Sequence, residues 1–93
     1  MRTSTKEQVE SQVEEILSKP YVLILENDDY NSFEWVIECL IRICSHEPEQ
    51  ASQCAHIVHF TGKCDVKRGD LETIQKMYDK LKSAGLSVKM EIA

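Results

Sequence analysis

No apolar run in these 93 residues approaches the roughly 18 to 20 that a membrane helix needs, the longest candidate being Tyr21 to Leu25. The opening Met1-Arg2-Thr3-Ser4-Thr5-Lys6-Glu7-Gln8 has no apolar signal-peptide core, so a cytoplasmic protein that does not engage a membrane is expected. Basic clusters are as scarce. None is longer than Lys67-Arg68 and the net charge is −5, which disfavours nucleic acid, because its binding depends on neutralising phosphates. Cys39, Cys44, Cys54 and Cys64 form no Cys-x-x-Cys pair, and buried free thiols in a reducing compartment are expected. Cys54, His56, His59 and Cys64 lack a standard zinc-ligand spacing, so neither a metal nor another cofactor is expected. An enzyme built on Asp28, Asp29 and His59 would lack a nucleophile motif, a His-Glu-x-x-His pair and a Gly-rich phosphate loop; a non-enzymatic protein is expected. No internal repeat or low-complexity segment occurs.

What is present suits one globular domain, with 42% hydrophobic and 29% charged residues. From about Lys6 to Ser18, Val9, Val13, Ile16 and Leu17 recur at helical spacing behind a Ser4/Glu7 capping box, until Pro20 stops the pattern. Residues 1–19 are therefore read as an extension with helical periodicity, and 20–93 as the core domain. Tyr21-Val22-Leu23-Ile24-Leu25 reads as a central strand. A turn-rich loop, Asn27 to Ser32, leads to a helix from about Phe33 to Ser45 with Phe33, Val36, Ile37, Leu40, Ile41 and Cys44 on one face. Pro48 opens a second helix to about His59, and Gly62 closes that unit. Lys63 to Lys67 alternates as a half-exposed strand. Asp70 caps a third helix carrying Leu71, Ile74, Tyr78 and Leu81, Gly85 stops it, and Leu86 to Ile92 forms a strand with Val88, Met90 and Ile92 on one side. The order β-α-α-β-α-β predicts an α+β two-layer sandwich, a three-stranded antiparallel sheet with helices on one face.

Charge is uneven. Between Glu26 and Glu49 lie Glu26, Asp28, Asp29, Glu34, Glu38, Glu47 and Glu49 against Arg42 alone, which favours a cationic ligand. Ala55, Val58 and His59 share one helix face, as do Phe33 and Val36. If these converge on the Asn27-Asp28-Asp29 loop, an apolar cup is rimmed by an amide oxygen, a carboxylate and an imidazole, all able to accept from an ammonium group. A side chain and an α-amino group on one carbon describe the N-terminal residue of a protein. Other readings of the same residues stay open: turn and cap chemistry for the loop, a helix-dipole partner for His59, plain core for Phe33, Val36 and Val58.

The run Tyr21 to Tyr30 followed by Phe33-Glu34-Trp35-Val36 resembles the signature of the ClpS family, and His59-Phe60-Thr61-Gly62-Lys63 resembles its second signature, His-aromatic-x-Gly-Lys. The resemblance covers about Leu17 to Ala93. It implies an α/β sandwich like the C-terminal domain of the ribosomal stalk protein. It also implies a monomeric adaptor that binds Leu, Phe, Tyr or Trp at a substrate's N-terminus (an N-degron) and delivers the substrate to the N-terminal domain of a ClpA-like AAA+ unfoldase. By position, Asn27, Asp29 and His59 would contact the α-amino group, with Asp28 beside them. Leu25, Asn31, Phe33, Val36, Ala55, Val58 and Leu86 would line or gate the side-chain pocket. Phe33 and Ala55 stand where the resemblance expects Met, Asn31 where it expects Thr, and Glu26 replaces an apolar residue. On the third helix Glu72 is kept, while Ile74 and Met77 replace Ala and Lys; Glu72 and Met77 mark the implied partner contact. These departures motivate an alternative: a ClpS-like interaction module with altered ligand or partner specificity.

Overall fold

The computed structural model describes residues 19–93, together with Gln12 and Val13. The helix expected over Lys6 to Ser18 lies, but for Gln12 and Val13, outside the described residues. From Pro20 on, the chain runs β1 (Tyr21–Glu26), α1 (Phe33–Cys44), α2 (Pro48–Thr61), β2 (Lys63–Gly69), α3 (Leu71–Ser83) and β3 (Val88–Ile92). β1 is central, antiparallel to both neighbours in the order β2-β1-β3. This is the expected α+β sandwich.

The capping chemistry explains most boundaries. Ser32 accepts from the Trp35 amide at 3.1 Å and starts α1; Asp70 accepts from the Thr73 amide at 2.7 Å and starts α3. α2 begins with Pro48 and runs two residues beyond His59, to Thr61, where Gly62 takes φ 96° and returns its N–H to the Val58 carbonyl. Gly85, at φ 89°, turns the chain out of α3 one residue after the Ala84 cap. β3 begins at Val88 instead of Leu86 because the Leu86 amide is still bound to the Leu81 carbonyl at 3.1 Å.

Leu23 and Leu25 of β1 face the helices and join Leu40, Cys44, Cys54, Val58, Val66, Ile74, Leu81 and Val88 in one core. Burying each large aliphatic side chain contributes about 1.5 to 3 kcal/mol relative to exposure. Val22 and Ile24 point to the opposite face and are buried as well, flanked across the sheet by Arg68 and Glu91, and by Asp65 and Lys89. A bulge opposite Leu23/Ile24 lets Val66 reach the core. Its neighbour Lys67 donates to the Cys44 carbonyl at the end of α1 at 3.5 Å. Met90 follows Val88 onto the core, but Ile92, at the strand's end, is exposed. The four cysteines are free thiols, with Cys39, Cys44 and Cys54 buried; burial pushes the Cys44 thiol up to about 11 and raises those of Cys39 and Cys54 too. Among the described residues no helix is long and apolar enough to cross a membrane.

Candidate functional site

Two backbone clamps set the site. The Asn27 amide donates to the Gly62 carbonyl at 2.9 Å, pinning the loop after β1 to the end of α2, and the Glu26 amide donates to the Ser87 carbonyl at 2.8 Å, pinning it to the chain entering β3. The Asn27–Ser32 loop is thereby brought beside His59 and Leu86, which lie far away in sequence.

Between these segments opens a cavity of about 260 Å³, lined by Leu25, Glu26, Asn27, Asp28, Asp29, Asn31, Phe33, Val36, Ala55, Val58, His59 and Leu86. Its floor is apolar: Leu25, Ala55, Val58 and Leu86 are all buried. Phe33 and Val36, half-buried on the first turn of α1, form a side wall. The structure thus brings all eleven residues singled out for the pocket around one cavity and adds Glu26. Glu26 stood out in the sequence only as a charge beside Asn27. It faces Lys89 at 3.9 Å.

The polar residues divide into two groups. Asp28 Oδ1 accepts from the Tyr30 and Asn31 amides, each at 2.9 Å, and Oδ2 accepts from Asn31 Nδ2 at 2.8 Å and Ser87 Oγ at 2.9 Å. Burial acts to raise the Asp28 carboxyl, yet these hydrogen bonds outweigh it and hold the group below its ordinary value. Asn31 Nδ2 also donates to the Gly85 carbonyl at 2.9 Å, tying the loop to the end of α3. Asp28 and Asn31 therefore line the cavity with side chains already occupied in shaping the loop. Asn27, Asp29 and His59 are different. All three are exposed, and their side chains hydrogen-bond to no other described residue. They supply an amide, a carboxylate and an imidazole at the mouth of an apolar cup, a set that matches ammonium donors.

No group of three or more metal-ligating side chains comes together among the described residues. Cys54 is buried in the core, while His56 and His59 are exposed on α2, so these two helix faces do not converge on a metal position. Glu72 is exposed on α3 and paired with Lys76 at 3.5 Å; Met77 is half-buried against the core, and Ile74 is wholly buried. Trp35 Nε1, donating to the Ala84 carbonyl at 3.0 Å, locks α1 to the end of α3.

Residues 17–89 match the family model of the ATP-dependent Clp protease adaptor protein ClpS. The ATP-dependent Clp protease adapter proteins ClpS of Salmonella gallinarum and Salmonella newport are each 42% identical over 57 residues, 59% of this chain and 54% of theirs. The chain thus spans about half the length of these curated relatives. Agrobacterium tumefaciens ClpS2, solved bound to L-phenylalaninamide, superposes with a TM-score of 0.73 at 23% identity, over 82% of this chain and 99% of that one. With the family model spanning most of the sequence and the fold shared with a solved member, this chain belongs to the ClpS family of Clp protease adaptors.

Proposed function

We propose that this chain captures proteins by a free, bulky apolar N-terminal residue and hands them to an ATP-dependent protease of the ClpA–ClpP type. The observation that carries the reading is the pairing of a buried apolar floor with three uncommitted polar side chains, Asn27, Asp29 and His59, at one cavity. Only a ligand with an ammonium group one carbon from an apolar side chain uses both halves. The fold neighbour holding L-phenylalaninamide, which has that arrangement, supports it. In this reading the α-amino group donates to Asn27, Asp29 and His59, and the side chain enters between Phe33, Val36, Ala55, Val58, Leu25 and Leu86. Asp28 and Asn31 hold the loop in place. The protein acts as a non-enzymatic monomer and needs no metal or cofactor. Glu72, exposed on α3, and Met77, half-buried on the same helix, are the proposed contact with the unfoldase's N-terminal domain.

The test is capture on immobilised peptides that differ only in their first residue, followed by degradation of the same series fused to a reporter by a ClpA–ClpP-type protease. Phe- and Leu-starting peptides should be retained and their reporters degraded faster when the chain is added; Met- and Gly-starting ones should show neither effect. Retention of all four alike would contradict the reading. Retention without faster degradation would favour the interaction module with a different partner.

A further inference from the structure

Two of the four thiols meet behind the cavity. Cys64 stands across the ladder from Leu25, and both side chains point to the helix layer. There Leu25 belongs to the cavity floor, while Cys64 packs against the core. Cys54 is part of that core, on α2, directly before Ala55 of the floor and one turn before Val58. α2 packs on β2, and the two side chains come together: the Cys54 thiol donates to Cys64 Sγ, and Cys64 Sγ donates in turn to the Asp65 carbonyl at 3.5 Å. Their accessibilities differ. Cys54 is only 4% exposed, and burial, followed by the hydrogen bond with Cys64, raises its thiol above the ordinary value. Cys64 is only half-buried. With an accessible thiol touching a buried one, the first can react with a small oxidant and the second can resolve the adduct.

We propose that Cys54 and Cys64 are a redox pair that closes to a disulfide and thereby narrows the cavity floor. The oxidant is a glutathione-type disulfide. The Cys64 thiolate attacks one of its sulfurs, forming a mixed disulfide and expelling one glutathione thiolate; the Cys54 thiolate then attacks the Cys64 sulfur and expels the second. The chain loses two hydrogens and two electrons, and the oxidant is reduced to two thiols that carry the protons. Excess thiol runs the exchange backwards. The effect on the cavity follows from where the bond forms. Bringing the sulfurs from contact to bonding distance draws α2 toward the sheet beside Leu25 and Ala55, the strand and helix parts of the floor. A close-packed interior transmits that shift to its neighbours. The consequence for binding rests on the reading of the cavity as the seat of an N-terminal residue. With less room for a large side chain, the open dithiol is the binding form and the disulfide the weak one.

The full chain, incubated with oxidised glutathione, quenched, unfolded and alkylated, tests the pair. Two of the four thiols should be lost, peptide mapping should link Cys54 to Cys64, and dithiothreitol should restore both. Neither Cys54→Ser nor Cys64→Ser should form the link. Four thiols still free, a glutathione adduct that stays on Cys64, or a bond to Cys39 or Cys44 would overturn the pair. Titration with a labelled Phe-starting peptide tests the narrowing. The oxidised chain should bind at least about fivefold more weakly than the reduced one. Dithiothreitol should reverse the loss, and Cys64→Ser given the same oxidant should not show it. Equal affinities in the two forms, or tighter binding by the disulfide, would overturn the narrowing while leaving the cavity reading intact. No binding by the reduced chain would sink the cavity reading itself, with the thiol mapping still deciding the pair.

Discussion

The Asp28 carboxylate accepts four hydrogen bonds, from Tyr30, Asn31 (twice) and Ser87, while that of Asp29, one residue on, has no partner among the described residues. Opposite consequences follow for substitution. Asp28→Ala leaves two loop amides and two side-chain donors unpaired and should destabilise the fold by about 1 to 2 kcal/mol at neutral pH. Because the folded Asp28 carboxyl sits below its ordinary 3.8, its stabilisation is complete above that value and is lost as pH falls through the lower, folded one. Urea unfolding should therefore show a gap between the parent and Asp28→Ala that is full at pH 7 and narrower at pH 3; an equal gap at both would assign the stabilisation to something other than the ionised carboxylate. Asp29→Ala should leave the unfolding midpoint where it is and weaken a Phe-starting peptide by roughly 1.5 to 3 kcal/mol, the loss of a charge-assisted hydrogen bond. Titration calorimetry reads the second effect, and wild-type affinity in Asp29→Ala would remove that residue from the rim.

α2 is the element that joins stability to selectivity. Its inward residues divide between duties: Ala51 and Cys54 belong to the core, Ala55 and Val58 to the cavity floor, and His59 to the rim, all set by successive turns of one helix that ends at Gly62. Ala55 is nearly fully buried yet small, so the floor beneath the side-chain position is deep, while Phe33 places a ring at the wall. A deep, flat-walled cup should hold Phe and Trp better than Leu. Ala55→Met fills the floor and should shift preference back toward Leu; affinities ranking Leu above Phe and Trp in the unmutated protein would count against this shape argument. β2 is simpler in role: its bulge aims Val66 inward and frees Lys67 to reach the last carbonyl of α1.

Across the whole molecule, the strand and helix order was legible because its signals are local: the β-branched run at Tyr21, the caps at Ser32 and Asp70, Pro48, and the two left-handed glycines. Helical spacing groups Ala55 with Val58 and His59, and Phe33 with Val36, whereas Leu25, Asn31 and Leu86 joined the expected lining only through the ClpS resemblance. The division of labour inside the cavity was not legible. Asp28 and Asp29 are alike in type, and the hydrogen bonds that Asp28 receives from Asn31 in its own loop and from Ser87, 59 residues away, separate them. Nor could periodicity foresee the bulge at Val66, the late start of β3 at Val88, or the ring contacts of His56 with Phe33, because each depends on contacts between segments. What the assembled molecule adds is convergence: three uncommitted polar groups at the mouth of one apolar cup. The central claim is that this mouth reads a charged α-amino group. The most direct measurement compares one Phe-starting peptide with its N-acetylated form, which keeps the side chain and removes the ammonium donors. Binding of the free peptide and none of the acetylated one is the predicted result; equal affinity for both would contradict the account.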